Sequence, residues 1–383
     1  MRALPIVLAL LVARAAGAVE KCQLVKKGFG PEGKAQVKLE TVVAGLEVPW
    51  GIAFLPGGDA LVTERPGRLR LVPALVKRKA GDATKLPVIA TIAVDSDEEG
   101  GLLGVALHPD FPRNRWIYLY MTVREGGRKS NRVERWRIAD DLGSARFDRR
   151  IVEGIPSAAY HDGGRIRFGP DRMLYVGTGD VRDPDRSQDR GSLGGKVLRL
   201  TPDGEVPNDN PVPGNPLYVL GVRNTQGFDW WQGRFFVTDH GPSGELLRRG
   251  HDEVNLVSPG ANLGWPAIYG CQTQADMVTP SLTWETAVPP GGASFYTGTA
   301  LADWRGSLLV GTLGSRHLHR VKPSSADPSV VELHEVYFQD QAGRLRDVVM
   351  GPDGVPYLTT SNCDGRGDCP PDRDKILRLL PSR

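Results

Sequence analysis

Phe54-Leu55-Pro56-Gly57-Gly58, followed by Ala60-Leu61-Val62-Thr63, is the stretch that decides the fold, because it recurs. An apolar residue, a Pro/Asp/Gly turn and an apolar strand return as Leu107-His108-Pro109-Asp110 before Ile117-Tyr118-Leu119-Tyr120, and as Phe168-Gly169-Pro170-Asp171 before Leu174-Tyr175-Val176-Gly177. Trp231-Gln232-Gly233 precedes Phe235-Phe236-Val237-Thr238, and Trp304-Arg305-Gly306 precedes Leu308-Leu309-Val310-Gly311. The last copy is Met350-Gly351-Pro352-Asp353-Gly354 before Pro356-Tyr357-Leu358-Thr359. Repeats at roughly sixty-residue spacing suit blades of four short strands, so the expectation is an all-β, six-bladed β-propeller with four-stranded antiparallel blades. No 3.6-residue apolar period is sustained, which argues against α/β units. A large β-sandwich is the rival, and the regular spacing disfavours it. Further strands lie between the units, such as Lys196–Leu200 and Arg68–Val72, the latter alternating basic and apolar residues as a strand with one wet face does. In a propeller the inner strands line one channel, so polar residues at the ends of distant units converge there.

The 383 residues carry 48 Lys+Arg against 45 Asp+Glu, a net +3 with the basic residues scattered, which excludes a nucleic-acid-binding stripe. The 47 glycines and 30 prolines supply the turns that many short strands need. Residues 1–18 read as a signal peptide: Arg2, an apolar run Leu4–Ala13, and Ala16-Gly17-Ala18 at the cleavage position. The run is too short to span a bilayer. The expectation is a periplasmic or secreted protein whose residues 19–383 form a single propeller domain. Four cysteines in an exported chain suggest disulfides. Cys363 and Cys369 flank a flexible loop that closes easily, leaving Cys22 with Cys271; zinc is the rival, but no histidines stand at zinc spacing.

Five stretches carry chemistry. Tyr160-His161-Asp162-Gly163-Gly164-Arg165 places a histidine, the usual general base near neutral pH, beside glycines that open it to close approach by a ligand. A loop histidine is also commonly a plain hydrogen-bonding residue. Arg223-Asn224-Thr225-Gln226-Gly227 packs one fixed cation and two amides into four residues, which suits a planar, anionic, carbonyl-rich ligand. Asp239-His240-Gly241-Pro242 and Asp252-Glu253-Val254-Asn255 offer carboxylates, amides and bare carbonyls, the hard oxygen donors calcium prefers, or else groups that satisfy turn backbone. Arg344-Leu345-Arg346-Asp347 sets two arginines on one face of a strand, where they need an anionic partner from a neighbour or a ligand.

Together these residues resemble the soluble glucose/sorbosone dehydrogenase family, the pyrroloquinoline quinone (PQQ)-dependent aldose sugar dehydrogenases. The resemblance runs from about Gly45 to Leu379. Besides His161 with Gly164-Arg165, Arg223-Asn224 with Gln226-Gly227, and Arg344-Leu345-Arg346-Asp347, its landmarks are Pro49-Trp50-Gly51-Ile52-Ala53-Phe54-Leu55-Pro56, the run Gly101–Phe111, His240-Gly241-Pro242 and Asn262-Leu263-Gly264-Trp265-Pro266. The family is also similar to the propeller of Hedgehog-interacting protein, a binder. The resemblance implies that His161 is the base taking the proton from a sugar C1 hydroxyl while hydride passes to the quinone. Arg223, with Asn224 beside it, would stabilise negative charge on the quinone oxygen. Glu99, Gln226, His240, Arg344 and Arg346 would complete the cofactor site, the two arginines on its carboxylates. The carbonyls of Gly241 and Pro242 would hold a calcium ion, and Glu253 would belong to a structural calcium site near the Asn262 loop. Electrons would leave to a separate acceptor.

This sequence departs from the family pattern at three places. Gly314 stands where many members carry a cofactor-contacting Lys, with Arg316 two residues away and on the same face if the segment is extended. Glu99 replaces a Gln, and a carboxylate beside an anionic cofactor is unfavourable unless protonated or bound to calcium. Tyr160 replaces an acidic residue. Two functions follow: an aldose-oxidising quinoprotein, favoured by His161, Arg223, Gln226, Arg344 and Arg346, and a non-catalytic propeller binding a sugar or protein partner, favoured by Gly314 and Glu99.

Overall fold

The computed structural model describes residues 21–382, so the signal-peptide segment lies outside the described residues. The chain forms six sheets arranged as the blades of a propeller. Blade 1 comprises Pro49–Phe54, Ala60–Glu64, Arg68–Val72 and Val88–Thr91; blade 2 comprises Leu102–Leu107, Trp116–Glu125, Arg128–Ile138 and Ala145–Pro156. Blade 3 runs Ile166–Phe168, Leu174–Gly177, Lys196–Leu200 and Leu217–Leu220, and blade 4 runs Gly227–Trp231, Arg234–Asp239, Glu253–Val257 and Leu282–Trp284. Blade 5 has Pro290–Phe295, Leu308–Thr312, Leu318–Pro323 and Val331–Tyr337. Blade 6 takes three strands from the C-terminal end, Leu345–Met350, Pro356–Thr360 and Asp374–Pro381, and its fourth, Val37–Leu46, from near the other end. That antiparallel seam, Val37 opposite Pro381 through Leu46 opposite Asp374, closes the ring and makes Val37–Leu46 the outermost strand of blade 6.

All six repeated units fall between the first and second strands of a blade. The first strands stand next to one another around the axis. Glycine makes that approach possible: a Cβ on Gly104 would come within 2.2 Å of the Gly164 carbonyl oxygen, and one on Gly227 within 2.5 Å of that of Gly291. Between blades the core is aliphatic and aromatic, as where Tyr118 and Tyr120 of blade 2 meet Ile166, Leu174 and Val176 of blade 3.

The alternation read in Arg68–Val72 is present, with partly exposed Arg68 and Arg70 flanking buried Leu69, and both arginines lie 2.6 Å from the fully buried carboxylate of Glu64. Both disulfides pair as read from the sequence, Cys22 with Cys271 and Cys363 with Cys369. The first ties down an extra strand, Gln23–Val25, which lies parallel to Leu282–Trp284 at the edge of blade 4. No helix among the described residues is long and apolar enough to cross a membrane.

Candidate functional site

One end of the axis opens into a cavity of about 350 Å³ built from loops that join or cap the blades. Behind the lining residues Trp50 and Gln226 lies a buried ion pair. Arg165, at the entrance to blade 3, meets Asp347 of the inner strand of blade 6 through two N–O contacts of 2.9 and 3.0 Å. Asp347 also accepts the Ile52 N–H from blade 1, and Arg165 donates to the Gln226 carbonyl at the entrance to blade 4 while lying 4.8 Å over the Trp50 ring. One pair thereby braces four blades where they converge.

His161 lies in the loop from blade 2 to blade 3, in a left-handed conformation with φ 65°. Its Nδ1 is 2.6 Å from Asp180 Oδ1, and Asp180 also accepts N–H groups from Arg182 (2.8 Å) and the Trp265 indole (2.9 Å). With a carboxylate as acceptor, Nδ1 carries the hydrogen and the Nε2 lone pair faces the cavity. Of the neighbouring glycines Gly163 lines the cavity, and both are also required by packing. A Cβ on Gly163 would meet the Gly177 carbonyl at 2.5 Å, and one on Gly164 would meet Leu103 at 2.8 Å, so the space they leave is filled by blade 3 and by core.

Arg223 and Asn224 sit in the loop from blade 3 to blade 4, held by backbone N–H bonds of 2.7 and 2.8 Å to the Asp239 carboxyl. Burial pushes that carboxyl up to about 7. The buried Arg223 guanidinium donates to Glu245 at 2.8 Å. Asn224 accepts from the Gly163 N–H, while its Nδ2, like Nε of Arg223 and of Arg346, has no partner among the described residues. His240 lines the wall with Nε2 2.7 Å from the Pro290 carbonyl; burial, then Arg223, drives its pKa down to about 3, so it is a neutral donor. Gln226 accepts from Arg346 at 2.6 Å. The partner that Arg344 and Arg346 require is Asp364, whose Oδ2 lies 2.9 and 3.5 Å from them.

Glu99 lines the same cavity in a state the sequence reading does not foresee. Its Oε1 receives Arg366 at 2.6 Å and its Oε2 the His161 backbone N–H at 2.8 Å. Burial works against the charge, but Arg366 and His161 outweigh it and hold the carboxyl below its ordinary range. Glu99 is therefore neutralised by an arginine, with neither protonation nor calcium needed. Arg316 does not stand in for the missing Lys at Gly314: residues 313–315 bend instead of running extended, and Arg316 turns outward to Asp340 at 2.7 Å. Tyr160 sits at the exposed rim between the guanidiniums of Arg182 and Arg366, 5.5 and 5.0 Å from its ring.

Gly241 and Pro242 are buried next to the cavity, and neither carbonyl oxygen accepts a hydrogen bond among the described residues. Glu253 lies outside the lining, bonded to Asn255 and the Gly270 N–H, with burial and then Asp239 raising its carboxyl well above the usual range. Among the described residues, no three His, Cys, Asp or Glu side chains are grouped to hold a metal. Sequence reasoning misses Asp180, Arg65, Arg182, Glu245, Asp364 and Arg366. Six arginines and four carboxylates line the cavity, so it is net cationic, and the Arg65 guanidinium has no protein partner among the described residues.

Fold and cavity together define a β-propeller with a net-cationic axial cavity bordered by a histidine paired with an aspartate. The glucose/sorbosone dehydrogenase family model matches residues 46–377, and the chain belongs to that family. A solved structure of an oxidoreductase from Thermus thermophilus is 43% identical and superposes with a TM-score of 0.81 over 90% of this chain and 100% of that one. The PQQ-bound aldose sugar dehydrogenase of Streptomyces coelicolor is 36% identical, with a TM-score of 0.79 over 92% of this chain and 99% of its own. The aldose sugar dehydrogenase YliI of Escherichia coli is 31% identical over 86% of this chain and 92% of its length.

Proposed function

We propose that this chain is an exported quinoprotein that oxidises aldoses at C1 to lactones, with PQQ in the axial cavity. The observation that carries the reading is the His161–Asp180 pair aimed into a cation-rich pocket. The residues present fit such a ligand: Arg223 and Arg346, each with an orphaned N–H group, line the cavity, Asn224 stands next to Arg223 with its own amide N–H unpartnered, and the cavity's charge balance favours an anion. The Streptomyces coelicolor relative binds PQQ, which supports the choice. When bound, PQQ supplies the two-electron acceptor. His161 Nε2 takes the proton of the C1 hydroxyl, and Asp180 stabilises the imidazolium that results. Arg223 and Asn224 are placed to compensate negative charge, and Arg344 and Arg346 to bind carboxylates while Asp364 keeps them aligned. The free carbonyls of Gly241 and Pro242 offer donors to a calcium ion, with Glu253 assigned to a second, structural site. Electrons pass on to a separate acceptor.

The segment 1–18 as a signal peptide, a single domain over 19–383 and a periplasmic or secreted location complete the proposal; the two disulfides support an oxidising compartment. Glu99 no longer favours a binder, since Arg366 neutralises it. The test is reconstitution with PQQ and calcium followed by dye reduction on a panel of aldoses. Turnover on at least one aldose is expected; PQQ binding without turnover on any would assign the chain to non-catalytic binding.

A further inference from the structure

The loop between the second and third strands of blade 6 is closed into a small ring by Cys363–Cys369, and the ring puts Asp364 and Arg366 into the cavity lining. Asp364 works in two directions. Its Oδ1 accepts the Arg366 N–H at 2.9 Å, shaping the ring. Its Oδ2 accepts from Ser361 Oγ (3.0 Å) and from Arg344 Nη2 and Nε (2.9 and 3.1 Å), with Arg346 Nη2 at 3.5 Å. The ring fits closely, since a Cβ on Gly367 would come within 2.7 Å of Arg344 Cδ. Arg366 reaches the other wall, donating to Glu99, which accepts the N–H of His161. His161 holds a left-handed φ that disfavours any residue with a Cβ, so its backbone needs an external restraint.

We infer that this ring is a clamp positioning the site: Asp364 sets the two arginines, Arg366 acting through Glu99 sets the His161 backbone, and the disulfide makes the clamp redox-sensitive. All three are positioning groups; none of them is the base. Cys363 is half-buried and Cys369 exposed, so a small dithiol reaches the bond. Reduction breaks the S–S bond, each sulfur gaining one electron and one proton from the dithiol, which leaves as its own disulfide. The ring tip then regains conformational freedom. Its root stays fixed, because Asp374 accepts the N–H groups of Asn362 and Cys363 at 2.5 and 3.2 Å. Loosening is therefore confined to the groups that face the cavity.

The experiment compares the full chain with Cys363→Ser/Cys369→Ser, Arg366→Met and Arg366→Lys by amide hydrogen exchange over the His161 segment, and by PQQ titration followed through tryptophan fluorescence. Exchange at the His161 amide is expected to quicken about tenfold, or about 1.4 kcal/mol, in the double variant and in Arg366→Met, with Arg366→Lys closer to the parent. PQQ affinity is expected to fall about tenfold in the double variant. A surface staple with no role in the site would lower Tm and leave exchange at His161 within twofold of the parent; that result overturns the clamp whatever the affinity. Unchanged PQQ affinity overturns the Asp364 arm. The choice of probe rests on the function proposed above, whereas the exchange measurement does not. A parent chain that fails to bind PQQ would sink that reading and leave the clamp to be judged on exchange.

Discussion

Replacing Asp180 by Asn keeps the shape around His161 and removes its charge. The aspartate now receives three N–H groups: Oδ1 those of His161 and Arg182, Oδ2 that of the Trp265 indole. An asparagine amide has one oxygen and one NH2, so a donor–donor conflict is unavoidable. With its oxygen toward His161 it satisfies two of the three donors and loses only Trp265, so this orientation is preferred and the imidazole keeps its tautomer. What disappears is the negative charge opposite the imidazolium that forms when Nε2 takes a proton. At about 4 Å and an effective dielectric of about 20, that charge is worth about 4 kcal/mol. The expected fall in kcat is about 10²–10³, inside the general-base range. Asp180 is not among the cavity-lining residues, so PQQ affinity is expected to stay within threefold of the parent. Stopped-flow dye reduction gives kcat, and a tryptophan titration gives the affinity. A kcat within threefold of the parent, or a loss of binding as large as the loss of rate, would refute the account of the dyad.

Asp347→Asn leaves the Arg165 cation uncompensated at the convergence of four blades, where both side chains are at most 3% exposed; a loss of about 3–5 kcal/mol is expected in urea denaturation. A loss below about 1 kcal/mol would mean that the pair is not what braces the four blades. Glu245→Gln removes the carboxylate that lies 2.8 Å from Arg223 inside the cavity, so PQQ is expected to bind several-fold tighter; weaker binding would count against Glu245 as a competitor. In blade 5, His317, His319 and His334 form a buried file with ring nitrogens 3.1 and 3.3 Å apart, each imidazole placed to donate one hydrogen to the next acceptor. Burial lowers all three pKa values, that of His317 to about 4, despite Asp340 beside His317 and Glu335 beside His334. These groups are depressed in the fold, so the unfolded chain takes up protons first. Stability is full above the unfolded value near 6.5 and falls as pH drops toward 4, with His317 alone contributing roughly 3 kcal/mol. A urea midpoint that stays level from pH 7 to pH 4.5 would contradict this.

The propeller is legible because each blade repeats one turn in sequence: Phe54–Gly58 and its five relatives are all first-to-second-strand turns. His161, Arg223, Gln226, Arg344 and Arg346 are legible as short polar clusters at blade entrances, and the structure brings all five to one cavity. Their partners are not, because a single carboxylate carries no local pattern. Asp180 follows Thr178-Gly179 just past the second strand of blade 3, much as Asp239 follows Thr238 in blade 4, and that shared position is the one signal that could find it. In sequence Asp364 and Arg366 belong to a flexible loop, since only the fold turns that loop toward the axis. Sequence alternation misplaces Arg316 because it holds for extended chain, and residues 313–315 bend.

The most direct test of the central claim is an equilibrium titration of the purified chain with PQQ, followed by absorbance and tryptophan fluorescence. A saturable change at one equivalent, weakened about tenfold or more in Arg346→Met, is the predicted result. No saturable change in the parent, or equal affinity in the variant, would contradict a cofactor site on the propeller axis.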